Sequence, residues 1–263
     1  YSALARGLSI VGNNPTNFYE VLDGTWWAID RKLTLEGTMA SADALYMDCI
    51  KQGVTTIFDH HASYGEIPGS LFTIAESAKR FGIRSCLCYE VSDRDGEEKC
   101  LQGIQENADF ITHCQKENDP MLAAMFGGHA LFTISDKTFE KMVEANDGMT
   151  GFHIHIAEGM NDVYDSLQNY GRRPVQRLQD HGILGEKTIL DWLVDDIESA
   201  GLVEEYVVIS NHKYAPHFEQ WATTKNLKIT VLDDGTDSNE TRLGAVKDLQ
   251  FAIDRLQLED ELL

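Results

Sequence analysis

Residues 151–159 read GFHIHIAEG, and this stretch indicates both the fold class and the chemistry of the chain. Apolar and polar side chains alternate through its first six residues, which predicts a short β-strand over Gly151–Ile156. In such a strand His153 and His155 point to the same face. Glu158 follows His155 by three residues, where the strand gives way to a loop. Imidazole and carboxylate groups are therefore expected together at the carboxyl end of one strand.

Two interpretations of this stretch stay open on the residues alone. A metal-assisted hydrolase needs a neutral imidazole as metal ligand and a carboxylate within proton-transfer reach of the activated water. His155 and Glu158 can supply these two groups. The alternative is a buried strand that carries two structural histidines and an exposed glutamate, because a motif as short as H-x-H is weak evidence.

Similar strand ends recur along the chain, each followed by a helical pattern. Apolar, β-branched runs predict strands, and the regions between them have helical periodicity; the strands are at Val54–Phe58, Ile83–Val91, Met121–Phe126 and Gly151–Ile156. This alternation predicts an α/β fold with a parallel sheet of βαβ units. The expected carboxyl ends carry His60, His61, His129, His155 and Glu158. A (β/α)8 barrel and a doubly wound sheet both gather polar residues in this way, so the alternation leaves both open.

Four stretches of the first 187 residues resemble the metal-dependent amidohydrolase superfamily. They are YSALARGL (1–8), GVTTIFDHHAS (53–63), FGGHALFTIS (126–135) and FHIHIAEG (152–159). The similarity is to the branch of cytosine deaminase-like and chlorohydrolase-like enzymes, which includes aminohydrolases linked to selenium metabolism. The resemblance implies a distorted, here partial, (β/α)8 barrel. It also implies a Zn²⁺ or Fe²⁺ ion that activates water for attack on a C–N or C–Cl bond of a small-molecule substrate.

The resemblance also implies roles for individual residues. His155 would be a metal ligand and Glu158 the catalytic proton shuttle. His129 would contact the substrate, and His60 and His61 would line the substrate pocket. The family's first-strand H-x-H would lie just before Tyr1, and its sixth-strand His and eighth-strand Asp have no counterpart. With His155 expected as the only protein ligand, this chain is expected to turn over substrate poorly, and any bound metal is expected to contact His155 first.

The remaining residues, about 186–263, resemble a different family. KTILDWLVDDIESAG (187–201), VVISNHKYAPHFEQWA (207–222) and ITVLDDGTDSNETRLGAVKDLQFAI (229–253) are similar to the middle of a Rossmann-like sugar-phosphate nucleotidyltransferase. The Gly-rich loop and the Lys that bind the nucleotide in that family are missing. The sequence therefore predicts a chimera of two partial domains, 1–187 and 188–263, joined near residues 185–188.

Composition narrows the classes of partner. The net charge of −21 argues against nucleic acid and against an anionic membrane surface, since both require a basic surface. Five cysteines without a framework spacing indicate reduced thiols and a cytoplasmic protein. The apolar run around Cys86 and Cys88 is interpreted as a core strand. A homo-oligomer stays open.

Three functional classes follow from these observations. The first is a metal-dependent hydrolase, and the second is a folded or binding module without catalysis. The third, nucleotide transfer, lacks its nucleotide-binding loop. Independently of these classes, the strand–helix alternation predicts parallel strands in one sheet, with His60, His129 and His155 at the same edge.

Overall fold

The computed structural model describes residues 2–8, 12, 14–185, 187–191, 206–210, 212–213, 215–223, 228–237 and 245–256, and the structural statements below concern these residues. The chain divides into two compact units, residues 1–196 and residues 197–263. Each unit is described by itself.

The first unit alternates strands and helices after a helical N-terminal region. Its strands are β1 (Thr56–His61), β2 (Arg84–Tyr89), β3 (Leu122–Ala124), β4 (Phe126–Gly128), β5 (Phe152–His155) and β6 (Ile189–Asp191). Its helices are α1 (Ser2–Ala5), α2 (Phe18–Val21), a π-helical turn (Leu22–Trp26), α3 (Trp27–Asp30), α4 (Leu35–Lys51), α5 (Ser70–Phe81), α6 (Glu97–Glu117), a 3₁₀ turn (Leu131–Thr133), α7 (Asp136–Asn146), α8 (Met160–Tyr170) and α9 (Pro174–Asp180).

The paired strands are parallel, as predicted. One sheet has the order β1-β2-β3 and the other β4-β5-β6. A parallel bridge between Val91 and Gly128 connects the continuation of β2 to β4. The strands thus follow one another in chain order, without the reversal that defines a doubly wound sheet. His60, His129 and His155 lie at or just after the carboxyl ends of β1, β4 and β5. The prediction that the strands form a single sheet is not confirmed, because the paired strands of this unit form two three-stranded sheets.

Local sequence signals explain where several helices begin and end. The hydroxyl of Ser135 accepts a hydrogen bond from the backbone N–H of Thr138 and caps α7. Gly82 ends α5 in the left-handed conformation, with φ of 68°, which a glycine adopts without a Cβ clash. At the start of α5 the carboxylate of Glu106, from α6, accepts hydrogen bonds from the N–H groups of Gly69 and Leu71. The N-terminal donors of one helix are thus satisfied by its neighbour.

The main core cluster lies between the β1-β2-β3 sheet and its helices. It contains the fully buried Leu71, Leu87, Tyr89 and Phe110, together with Tyr46 from α4. Burying side chains of this size contributes roughly 1.5–3 kcal/mol each. Leu87 and Tyr89 on the outward face of β2 therefore pack in this core, whereas Cys86 and Cys88 lie on its inward face.

A close backbone approach marks the transition from β2 to β4. A Cβ atom on Gly127 would lie 2.3 Å from the carbonyl oxygen of Tyr89, so only glycine fits there. The side chain of Asn107, from α6, completes this junction. Its Oδ1 accepts hydrogen bonds from the N–H groups of Tyr89 and Gly127, at 2.8 and 3.2 Å, and its Nδ2 donates to the carbonyl of Tyr89 at 2.9 Å.

The second unit contains a parallel pair of strands, β7 (Tyr206–Ser210) and β8 (Ile229–Asp233), and the helices α10 (Ala215–Ala222) and α11 (Ala245–Leu256). The helical pattern of the sequence over Asp191–Ala200 lies almost wholly outside the described residues; Asp191 itself ends β6. β6 lies beyond the predicted junction at residues 185–188, yet it pairs with β5 in the first unit. Within the described ranges, no helix has the length and apolar character needed to span a membrane.

The Asn107 bridge gives a stability prediction. Asn107→Ala removes both the acceptor and the donor that satisfy the buried backbone of Tyr89 and Gly127. We expect the free energy of unfolding to fall by about 2–4 kcal/mol in urea denaturation, since each unsatisfied buried group costs about 1–3 kcal/mol. Gln105→Ala, at an exposed position of the same helix, should change it by less than about 0.5 kcal/mol. Equal effects of the two substitutions would contradict the bridging role.

Candidate active site

The inward faces of β1, β2 and β5 bring the chemically active side chains together. Side chains alternate along each strand, so His153 and His155 share one face of β5. The ring of His60, from β1, lies between them: its centroid is 4.6 Å from that of His153 and 4.1 Å from that of His155. Three imidazoles from two strands therefore form one cluster.

Two sets of donor atoms arise from this cluster among the residues that the structure describes. The upper set, nearer the carboxyl ends of the strands, consists of His60, Glu90 and His155. The lower set consists of His60, Cys88 and His153. Within each set, the candidate ligand atoms all lie within 4.8 Å of one another. Two imidazoles with a carboxylate form a donor set that suits catalytic zinc.

Glu90 directly follows β2 and is buried at the centre of a charged network. Its Oε1 accepts a hydrogen bond from Nη1 of Arg94 at 2.6 Å, and Nη2 of Arg94 donates to Oδ2 of Asp30 at the same distance. Burial would by itself raise the pKa of Glu90, but the charged guanidinium of Arg94, which also donates a hydrogen bond to it, holds that pKa below its usual value. Glu90 is therefore a carboxylate in this site, although little solvent reaches it.

His129 directly follows β4 and faces Glu90 from the other side. Its Nε2 lies 3.7 Å from Oε1 of Glu90, and its Nδ1 is hydrogen-bonded to the hydroxyl of Thr133 at 2.8 Å. Burial lowers the pKa of His129 to about 3, although the Glu90 carboxylate opposes that shift. The ring is thus a neutral hydrogen-bonding group at physiological pH.

The loop after β5 is held in an unusual conformation. Ala157 has φ of 52°, which is rare for a residue with a Cβ. Its N–H donates to Oδ2 of Asp162 at 2.5 Å, while Oδ1 of the same carboxylate accepts from the N–H of Phe132. Burial raises the pKa of Asp162 to about 6, against these two hydrogen bonds, which lower it. Asp162 therefore ties the loop that carries Glu158 to the 3₁₀ turn next to His129.

A cavity of about 200 Å³ opens above the upper set. Glu90, His129, His155 and Glu158 line one side of it, and Trp26 and Trp27 belong to the opposite wall, which the helical segment 18–30 provides. The combination of a mainly apolar wall and a few convergent polar groups is typical of a small-molecule site.

The structure brings four of the five candidate residues to this region. His129, His155 and Glu158 line the cavity, and His60 packs against His155. His61 is not brought there, because successive residues of a strand point to opposite faces. It lines a separate small cavity with Asp59 and Tyr46 on the helix side of β1, where burial lowers the pKa of His61 to about 3.

Four contributors were not identified from the sequence. Glu90 and Cys88 alternate on one face of β2 and its extension, but the apolar run around them was interpreted as core. Asp30 and Arg94 lie far apart in the sequence and meet at 2.6 Å. The sequence analysis expected His155 to be the only protein ligand, yet His60 and Glu90 lie within ligand distance of it. The only sequence signal was the period-two spacing of Cys88 and Glu90.

The sequence profile of the amidohydrolase family matches residues 17–256. The match continues through residues 188–256, for which the sequence analysis predicted a nucleotidyltransferase-like segment.

The 5'-deoxyadenosine deaminase of Methanosarcina barkeri is 29% identical over 230 residues, which cover 83% of this chain and 51% of that protein. The 5-methylthioadenosine/S-adenosylhomocysteine deaminase of Thermoanaerobacter pseudethanolicus is 24% identical over 258 residues, which cover 94% and 58%. The chain thus spans little more than half the length of these relatives.

Solved structures of hydrolases share the fold. Guanine deaminase from E. coli superposes with a TM-score of 0.60 at 15% identity, covering 97% of this chain and 62% of that one. An adenosine deaminase from Xanthomonas campestris, solved with bound zinc, gives 0.55 at 20% identity, covering 87% and 52%. An atrazine chlorohydrolase from Arthrobacter aurescens, solved with zinc, gives 0.56 at 16% identity, covering 88% and 50%.

The buried Asp162 gives a pH-dependent stability prediction. The folded-state pKa of Asp162, about 6, lies above the ordinary value of 3.8. Between these pH values the folded protein therefore holds a proton on this carboxyl that the unfolded chain has lost. The free energy of unfolding consequently falls as pH rises through this range. We expect the stability advantage of the wild type over Asp162→Asn to shrink by about 2–3 kcal/mol from pH 4 to pH 6.5, since one pKa unit corresponds to about 1.4 kcal/mol.

Urea denaturation at a series of pH values measures this difference. Glu144→Gln, at an exposed position of α7, serves as the control and should show a much smaller pH dependence relative to the wild type. A constant difference between wild type and Asp162→Asn across the range would contradict the raised pKa.

Proposed function

The chain belongs to the amidohydrolase family, and we propose that its function is the metal-dependent hydrolysis of a C–N bond in a small molecule. The observation that carries this proposal is the upper donor set. His60, Glu90 and His155 lie within 4.8 Å of one another, next to a cavity that Glu158 and His129 also line.

The chemistry of this set fits a divalent zinc ion. His60 and His155 offer imidazole nitrogens, and Glu90 offers a carboxylate that stays ionised, a combination that occurs in catalytic zinc sites. When bound, such an ion supplies a water molecule activated for attack at neutral pH. Arg94 is hydrogen-bonded to the Glu90 carboxylate, which orients that carboxylate toward the cluster.

Other residues of the cavity have roles of their own. Glu158 is the proton shuttle, which moves a proton toward the leaving amine from its position beside His155. His129, neutral and fixed by Thr133, is a hydrogen-bonding group for the substrate. Trp26 and Trp27 offer an aromatic wall that suits a planar ring. The loop anchored by Asp162 keeps Glu158 at the cavity.

Deamination is the form of hydrolysis that we favour over dechlorination. The curated relatives are named as deaminases of adenosine derivatives, and a purine ring is planar and carries an exocyclic amine. An amine leaving group needs a proton, which Glu158 can deliver, whereas a chloride leaving group does not. We also propose that β1 to β6 form part of the wall of a (β/α)8 barrel, because they follow one another in chain order.

Zinc content and ammonia release together test this function. We expect purified protein to bind zinc, as measured by equilibrium dialysis and elemental analysis. His155→Ala should lower the zinc affinity of the upper set by ~10-fold or more. Losing a group that only orients a metal ligand already lowers metal affinity by about that much, and losing the ligand itself should lower it at least as far. His113→Ala, on α6, is the matched control and should leave zinc binding unchanged.

Glu158→Gln separates catalysis from metal binding. We expect ammonia release from adenosine-type nucleosides to fall by about 10²-fold or more with zinc content unchanged, since proton transfer by a positioned side chain contributes roughly 10²–10⁴-fold. If the wild type binds zinc but releases no ammonia from any of these compounds, the chain by itself is the non-catalytic module considered above. If it binds no zinc at saturating concentration, the proposed function is wrong.

A further inference from the structure

The lower donor set is a second constellation on the same sheet face, and the function proposed above does not use Cys88 or His153. Cys88 is fully buried, and His153 is only 5% exposed. With His60 they offer one sulfur and two imidazole nitrogens within 4.8 Å of one another. We propose that Cys88, His60 and His153 form a second metal site, which binds Zn²⁺ through a thiolate.

The separation of the donors matches the size of a zinc ion. The Sγ atom of Cys88 lies 3.5 Å from Nδ1 of His60. Zn–S and Zn–N bonds of about 2.3 and 2.05 Å, at a tetrahedral angle, place the two ligand atoms roughly 3.5–3.6 Å apart. The pair therefore binds an ion without moving the strands.

The sheet fixes these donors rigidly. His60 and Cys88 are directly paired in the register of β1 and β2, and His153 lies within β5. Three donors on strands are held more precisely than donors on loops. The backbone hydrogen bonds of the sheet thus hold the three donors in place before any ion binds.

The donor types select the ion. A thiolate with two imidazoles suits zinc and other soft or borderline cations, whereas Mg²⁺ and Ca²⁺ require oxygen ligands. Binding replaces the thiol proton of Cys88, which is released to solvent, so metal uptake is accompanied by proton release. The upper set has no sulfur, which makes the two sets distinguishable by spectroscopy.

His60 belongs to both sets through different nitrogens. Its Nδ1 faces Cys88, while its Nε2 lies 3.8 Å from Oε2 of Glu90. A metal–sulfur signal therefore reports the lower set alone, whether or not the upper set holds an ion. The inference stands independently of the proposed hydrolase activity.

A cavity adjoins the lower set on the same sheet face. Phe58 and Cys86 precede His60 and Cys88 by two residues on β1 and β2, so they form the adjoining row. Both line a cavity of about 480 Å³, and Phe58 is 58% exposed. This cavity therefore lies next to the row of side chains that carries His60 and Cys88, on the side away from the strand ends.

Cobalt titration of the full chain tests the proposal. Co²⁺ replaces Zn²⁺ in tetrahedral sites, and a cobalt–thiolate bond gives a charge-transfer absorption in the near ultraviolet. We expect this absorption in the wild type and its loss in Cys88→Ser. Cys86→Ser, two residues earlier on the same strand face, is the matched control and should keep it. His153→Ala should weaken cobalt binding at the sulfur site by ~10-fold or more.

Two further measurements keep the outcome decisive. His155→Ala should retain the cobalt–sulfur absorption, which shows that the upper set is not its source. X-ray absorption at the zinc edge of the unmodified protein should show a sulfur neighbour at about 2.3 Å, a result that depends on no variant folding. Absence of a sulfur neighbour at saturating zinc, or a charge-transfer band that persists in a folded Cys88→Ser variant, would overturn the proposal.

Discussion

In-register parallel pairing of strands in chain order is the constraint on which the rest of the first unit depends. It places His60 directly opposite Cys88 and aligns every second residue of each strand on one inward face. The bridge between Val91 and Gly128 extends this arrangement from β2 to β4. A shift of one residue in the pairing of β1 would turn His60 toward the helices and His61 toward the cluster. Backbone hydrogen bonds therefore decide which imidazoles can act together.

The buried carboxylates near this face need a buried positive charge beside them. Asp30 and Glu90 are both buried, and Arg94 donates a hydrogen bond to each at 2.6 Å. The guanidinium also packs over the rings of Trp27 and Tyr64, at 5.1 and 4.1 Å from their centroids. Removing one member of such a network leaves an uncompensated buried charge, at a cost of roughly 3–5 kcal/mol. The same arrangement keeps the Glu90 carboxylate ionised beside the histidines, where a cation can be held.

The two donor sets differ in what they can do. The upper set meets a cavity lined by Glu158 and His129, so it combines candidate metal ligands with groups that can transfer protons and bind a substrate. The lower set lies one row further from the strand ends and has a buried thiol, which suits tight binding more than turnover. His60 connects them, and for this reason an ion in one set affects the electrostatics of the other. The proposed thiolate site would thus lie beneath the proposed catalytic site.

The sequence by itself determined the α/β class, the positions of most helices and strands, and the gathering of His129, His155 and Glu158 at one edge. Those features follow from short-range periodicity and from caps such as Ser135. It resembled a nucleotidyltransferase after residue 187, although the amidohydrolase match continues to residue 256; strand–loop–helix patterns are common to all parallel α/β units and discriminate poorly between families. Only the tertiary structure decided that Glu90, Cys88 and Arg94 belong to the site and that His61 does not. The physical reason is that periodicity fixes the face on which a side chain lies, whereas its neighbours depend on the register between strands far apart in the chain.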